Sequence, residues 1–312
     1  MATYSFTLEP LPPFRLDLTV WILRRRPDNQ IDHWDGQAYH RILVLDDEPI
    51  GMSVTQIGTS QAPQLEISLN GAGVKSSMEA QVTNSLERLL GIQVDLTEFY
   101  RFSETSVHLK MLADPFRGAK PPRFPTLFET MLNAIACQQL SLNVGIQLLN
   151  RLSQTYGLAF PMESGTFHAF PRPEDLVDAD LEELRHLGFS YRKGEYLHGL
   201  ARSIVDQQVN LEEIETLPDQ QAVAELCRIK GVGRWTAEYF LLRGLGRTHI
   251  FPGDDVGARN NLQDWLDLPE RLDYSGVHQA IYGWEGYGGL IYFHLLLKSL
   301  LEKGFVSNEK RA

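Results

Sequence analysis

The feature that most limits the fold of this chain is a change of apolar period near Thr126. Downstream, Leu127, Phe128, Met131, Leu132 and Ile135 fall on one helical face, and the run breaks at Gln138-Gln139. Ser141 can cap a second helix carrying Val144, Leu148, Leu149 and Leu152. Helical patterns also fit 180–187, 192–207, 219–227, 234–242, 256–266 and 288–303. Upstream the period is two. Tyr4, Phe6 and Leu8 alternate with polar residues, as do Leu65, Ile67 and Leu69, the pattern of half-buried strands.

Asp46-Asp47-Glu48-Pro49 separates two apolar runs and reads as a turn between antiparallel strands. Helical spacing marks 76–90, and a second helix fits 16–25. The proline- and glycine-bearing stretch 114–125 reads as a linker. The expected order is an α+β domain over 1–113, the linker, and an all-helical domain over 126–312. A chain of 312 residues is long enough for two cores.

Bulk composition narrows the function only by exclusion. The two cysteines, Cys137 and Cys227, cannot build a four-cysteine zinc or iron–sulfur site, and both are expected to be core thiols. No stretch approaches the roughly 20 apolar residues of a membrane span, and the N-terminus lacks a signal-peptide pattern. The net charge of −11 counts against strong phosphate binding, but its distribution matters more than its sum. Arg228, Lys230, Arg234, Arg243 and Arg247 face one acid, Glu238, within 228–247, and Arg117, Lys120 and Arg123 form a second island.

The chemistry concentrates in 226–262. Ile229-Lys230-Gly231-Val232-Gly233 is a tight turn between two helical patterns. Its glycines permit positive φ and leave the backbone bare, so amides there and at the next helix start can point at one phosphate. Val232 can plug the gap between the helices. A ligand-free helix–helix turn is the bland alternative.

The residues beyond the turn are more specific. Gly-Arg-Trp-Thr-Ala at 233–237, then Pro-Gly-Asp-Asp at 252–255, resembles the helix–hairpin–helix DNA glycosylase superfamily, and within it the 3-methyladenine glycosylase II branch. The likeness extends to the helix break Ala134–Ser141, to Leu184–Gly188 with Arg192-Lys193-Gly194, and to Trp284-Glu285-Gly286-Tyr287, which departs from the family pattern at Gly286 and Gly288. It implies a TATA-binding-protein-like antiparallel sheet with helices in the first domain and an all-α helix–hairpin–helix domain after it. It places the essential aspartate on Asp255, twenty positions after Trp235. Gly231, Val232, Gly233, Arg234 and Lys230 become the DNA-binding hairpin, and Gln139 the wedge entering the duplex. Trp235 stands where lyase-competent relatives carry a Schiff-base lysine, so cleavage of the base alone is expected.

Residue chemistry agrees with that assignment. Breaking an N-glycosidic bond leaves positive charge on the sugar, which one carboxylate can stabilise while orienting water. Asp254 suits the cap of the helix starting at 256, leaving Asp255 for the reaction. Trp235 and Tyr239, four residues apart, share a helical face and are expected to wall a base pocket. Gln138, Tyr287 and Trp21 are further candidates for that pocket. Aromatic faces attract cationic alkylpurines by ~0.5–2 kcal/mol. No cofactor and no catalytic metal is expected, though the hairpin leaves room for a monovalent cation at Gly231.

The expected partner is double-stranded DNA carrying alkylated or damaged bases, bound by a monomer in a bacterial-type cytoplasm, at the nucleoid. The rival readings are a superfamily glycosylase for oxidised bases and a non-catalytic helix–hairpin–helix DNA-binding protein. The second has no need of the Asp254-Asp255 loop.

Overall fold

A computed structural model describes residues 2–162 and 165–307. Strands β1 (Ala2–Leu8), β2 (His33–Trp34), β3 (Ala38–Leu45), β4 (Glu48–Gln56) and β5 (Leu65–Gly71) form one antiparallel sheet in the order β1-β5-β4-β3-β2. The β3–β4 connection is the two-residue turn Asp46-Asp47, with φ of 49° and 61°. Both residues being left-handed matches the hairpin turn whose twist suits the strands, and aspartate tolerates that region better than most side chains.

Alternate residues of β5, Leu65, Ile67 and Leu69, are fully buried. With Ile50, Met52 and Val54 of β4 they pack against α1 (Leu16–Arg24) and α2 (Glu79–Leu90), whose Val82, Leu86, Leu89 and Leu90 complete that core. Period-two alternation on the sheet thus meets a helical stripe, one buried face each.

Two short helices that the sequence pattern does not announce come next, α3 (Thr97–Ser103) and α4 (Val107–Ala113). The helical part proper holds α5 (Leu127–Cys137), α6 (Leu142–Tyr156), α7 (Pro173–Leu176), α8 (Leu181–His186), α9 (Tyr191–Val205), α10 (Asp219–Leu226), α11 (Arg234–Arg243), α12 (Val256–Trp265), α13 (Tyr274–Ala280) and α14 (Gly288–Glu302). It also carries one antiparallel pair, β6 (Ala159–Met162) with β7 (Gly165–His168). Phe160 of β6 packs over Gly51 of β4, where a β-carbon would come within 2.7 Å of the ring.

The seam between the two parts is tightly packed. Leu18, Trp21 and Ile22 of α1 join Phe293, Leu297 and Leu300 of α14, and Leu109 and Leu112 of α4 pack with Phe251, Leu262 and Ile291. The stretch read as a linker is interior, with Phe116, Ala119, Lys120 and Phe124 all buried. Lys120 Nζ donates to the Val94 carbonyl at 2.6 Å, and burial lowers its pKa to about 8. A buried ion cluster also crosses the seam. Arg41 of β3 donates to Asp32 at 2.5 Å and to both oxygens of Glu129 on α5 at 2.5 and 2.7 Å, and Tyr39 donates to Asp32 at 2.8 Å. Burial pushes Glu129 up to about 7 despite Arg41 beside it.

Helix α11 runs through the middle. Ala237, Phe240 and Leu241 enter the helical core, Tyr239 the sheet-side core, and Leu242 the cluster under α14. From Thr236 to Arg243 every side chain is buried, so no amphipathic stripe remains. Arg243, 1% exposed, donates to the Ile22 and Leu23 carbonyls at the end of α1. Among the described residues no helix is long and apolar enough to cross a membrane.

Candidate functional site

Helix α10 ends in the turn 227–233, where Val232 N donates to the Ile229 carbonyl and Val232 sits in the helical core, 7% exposed. Gly231 has φ +89°, and a β-carbon there would come within 2.3 Å of the Tyr196 ring, so both backbone and space demand glycine. At Gly233, the N-cap of α11, nothing lies within 4 Å of such a carbon, and no side chain caps the helix. The first-turn amides therefore have no side-chain acceptor at the N-cap, and the exposed Gly233 and Arg234 leave room there for an anion.

The loop from α11 to α12 is held back onto α11. Glu238 accepts from Gly253 N at 3.2 Å and from Tyr274 Oη at 2.6 Å, and burial raises its pKa. Arg234 pairs with Asp254 at 2.7 Å and lies 3.6 Å over the Tyr274 ring. These contacts fix the two adjacent aspartates in different surroundings. Asp254 is ion-paired with Arg234. Asp255 is half-buried, and its Oδ1 accepts from Ala258 N at 2.9 Å. Its Oδ2 accepts from Trp235 Nε1 at 3.3 Å and Tyr292 Oη at 3.2 Å. Among the described residues no lysine, arginine or histidine forms an ion pair with it.

That geometry corrects the capping expectation: Asp255, not Asp254, caps α12. It also brings in Tyr292 of α14, which the sequence pattern did not single out. Burial, with Asp255 next, raises the Tyr292 phenol well above its ordinary value, so it remains a donor. Its ring packs edge-on against Phe251 of the same loop, centroids 5.7 Å apart.

Trp235 is half-buried and packs on Tyr239 with the rings tilted by 36° and their centroids 5.5 Å apart. Tyr239 is 3% exposed, and its hydroxyl accepts from Arg25 Nη1 at 2.9 Å. It backs the indole and offers no open face, a correction to its expected place in the pocket wall. Arg25, at φ +62° after α1, also donates to Asn133 at 2.6 Å and is 5% exposed.

Other candidates lie elsewhere. Tyr287 packs on Phe99 and Phe102, centroids 5.5 and 4.9 Å apart, and Trp21 stacks on Phe305 at 5.5 Å inside the cluster under α14. Both are packing residues. The direction in which each ring turns is set by packing between distant segments, α1 with the C-terminal residues and α3 with the turn before α14.

At the helix break, Gln138 is a strut. Its Nε2 donates to the Gly231 carbonyl and to Thr236 Oγ1, both at 2.8 Å. The carbonyl expected to face a monovalent cation is thus engaged inward. Gln139, with φ +54°, is exposed, and Ser141 caps α6 as its position suggested. Lys193 of α9 donates to the carbonyls of Ala136 and Gln138 at 2.9 and 2.6 Å.

The basic islands are largely spent on the protein. Arg243 and Lys120 are interior, Arg247 pairs with Asp219, and Arg228 with Glu225. Lys230 remains the open cation of the hairpin, its side chain 72% exposed and 3.6 Å from Glu195. Cys227 is exposed, against expectation, and Cys137 is half-buried with burial raising its thiol pKa. Among the described residues no three histidine, cysteine or acidic side chains gather to hold a metal.

A half-buried carboxylate without a counter-cation, an open amide row and a partly exposed indole can together hold a phosphate and stabilise positive charge between them. Comparison with known proteins gives that geometry a setting. Residues 132–285 match the HhH-GPD superfamily of base excision DNA repair proteins. The chain is 32% identical over 252 residues to DNA-3-methyladenine glycosylase 2 of Escherichia coli, covering 80% of this chain and 84% of that one. It is 24% identical over 215 residues to a Bacillus subtilis DNA-3-methyladenine glycosylase, covering 69% and 71%. The solved 3-methyladenine DNA-glycosylase of Archaeoglobus fulgidus superposes with a TM-score of 0.82 at 25% identity, covering 95% of this chain and 98% of that one.

Proposed function

This chain belongs to the HhH-GPD superfamily of base excision DNA repair proteins, and from that membership we propose that it is a monofunctional DNA glycosylase releasing alkylated purines of the 3-methyladenine and 7-methylguanine type. The observation that carries the reading is the inequality of the two loop aspartates. Asp254 is ion-paired with Arg234, whereas among the described residues Asp255 meets an amide, an indole and a phenol and no cation. Its negative charge stays available to a positive charge brought from outside.

The bond from C1′ to the purine nitrogen breaks with its electron pair going to the base, and the sugar becomes oxocarbenium-like. Asp255 stabilises that charge, which acts in the transition state more than in the bound ground state. Water adds to C1′ and gives its proton to the carboxylate. A cationic alkylpurine leaves as a neutral base and needs no separate acid. The exposed side of Trp235 supplies a π face to such a base, with Tyr239 as its backing.

The amides at 233–235 hold a phosphate, assisted by Lys230, and Gln139 fills the gap left by the flipped nucleotide. Trp235 occupies the position of the lyase lysine, so the abasic strand stays whole. The protein works as a monomer on double-stranded DNA, in the cytoplasm at the nucleoid.

The test uses one labelled duplex carrying 7-methylguanine and one carrying 8-oxoguanine, each assayed with and without alkaline work-up. Release of 7-methylguanine, with strand breakage only after alkali, is expected. Faster removal of 8-oxoguanine, or breakage without alkali, would overturn the substrate class or the monofunctional assignment respectively.

A further inference from the structure

Lys193 is a buried cation that the proposed reaction does not use. It is 9% exposed in the first turn of α9, and among the described residues no carboxylate pairs with it. Its Nζ is spent on two carbonyls, Ala136 and Gln138, at the C-terminal end of α5. An ammonium out of water is expensive, and the negative end of a helix is one of the few neutral partners that offsets the cost. The placement therefore fixes one thing, the path of the chain at the helix break.

The Gln138 side chain fixes the same point from the other side. It ties the break to the Gly231 carbonyl in the hairpin and to Thr236 Oγ1, 1% exposed on α11. Gly145 of α6 closes the third side, where a β-carbon would come within 2.6 Å of Cys137 Sγ. Between these holds the backbone turns left-handed at Gln139, φ +54°, and presents that side chain outward at the tip of the break, with Leu140 exposed beside it. Only a well-held turn keeps a non-glycine residue there.

We infer that Lys193 and Gln138 form a brace that couples the hairpin's grip on a DNA phosphate to insertion of Gln139 into the duplex, which makes Lys193 a positioning residue for base flipping. The inference rests on the glycosylase reading above. Extruding a base costs a few kcal/mol of stacking and pairing, and a wedge recovers it only if the turn behind it does not yield. Gln138 bonds directly to the carbonyl of Gly231, so a phosphate seated on the hairpin amides and the wedge turn share one rigid frame.

The experiment compares the same 7-methylguanine in a duplex and in a single strand, under single-turnover conditions with saturating enzyme. Lys193→Met is expected to lower the duplex rate about tenfold and the single-strand rate less than about twofold, because only the first substrate has to be opened. Gln139→Ala is expected to show the same duplex-selective loss, and the double variant to be no slower than the more affected single one. Thr236→Val, which removes one acceptor of Gln138, gives an independent reading of the ratio, expected to fall about threefold, should Lys193→Met not fold. Equal losses on both substrates, or no loss on the duplex, would overturn the brace while leaving the glycosylase intact. Failure of the unmodified protein to release base from either DNA would overturn the glycosylase reading, and the brace with it.

Discussion

At the seam between sheet and helices, Asp32 and Glu129 close on Arg41, whereas beside α11 Asp255 meets only neutral donors. Both sites remove carboxylates from bulk water, and in both the carboxylates accept several hydrogen bonds. They differ in charge balance. The seam cluster joins β3 to α5 with its carboxylates and phenol turned on one another and on Arg41, and burial still pushes Glu129 up to about 7. Such a group orients two layers, its two carboxylates closed on one guanidinium. Asp255 is oriented by longer bonds, through Oδ1 on the Ala258 amide of α12 and Oδ2 on Trp235 and Tyr292, and among the described residues no cation pairs with it. Glu238 shares the absence of an ion pair among the described residues but lies 6% exposed behind the loop, whereas Asp255 is half-buried at its edge, so only the second combines an unpaired charge with access from outside.

The largest effect that would break this comparison lies on the architectural side. Arg41→Met leaves two buried acids without their cation, and stability should fall by about 3–5 kcal/mol in urea unfolding. The base-release rate of the protein that remains folded should be near normal. A drop in rate without a drop in stability would show that the cluster serves the site.

Asp255→Asn reverses the pattern. The asparagine keeps the shape and can still accept from Ala258 N, but it carries no charge, so base release should fall roughly 10²–10³-fold. Unfolding and binding to a duplex with an abasic site should change little. Near-normal release would sink the assignment, and Asp254 would take its place as the candidate.

The sequence exposed these two sites unequally. The Asp255 site is local, because hairpin, Trp235 and loop lie within one stretch whose order carries the information. Even so, the choice of helix cap between Asp254 and Asp255 depended on a one-residue register that no pattern resolves. The seam cluster joins residues 88 apart, and the bond from Arg25 to Tyr239 spans 214. Contacts of that range come from how the layers pack. The short α3 and α4 were missed because their apolar residues pack against α14 and α12, far along the chain. At the start of the C-terminal helix the resemblance pointed to Tyr287, which lies in the turn before α14. Tyr292 lies five residues on, inside the helix, and turns to Asp255 instead.

Tyr292 therefore gives the smallest and sharpest test. Its phenol is one of two donors on Asp255 Oδ2, and burial keeps its proton in place. Tyr292→Phe removes one hydroxyl and leaves the ring against Phe251, so unfolding should shift by no more than about 1 kcal/mol. Trp235 still holds the same oxygen, and the Ala258 amide still holds the other. The carboxylate then stays in place but swings more freely, and base release should fall about tenfold. Binding to an abasic duplex should be unchanged, because the lost bond is to Asp255 and not to DNA. Coupling decides the matter. If Tyr292 acts through Asp255, adding Tyr292→Phe to Asp255→Asn should cost almost nothing further. If the tyrosine only supports packing, the same loss should appear in both backgrounds, and the three-donor account of the carboxylate would fail.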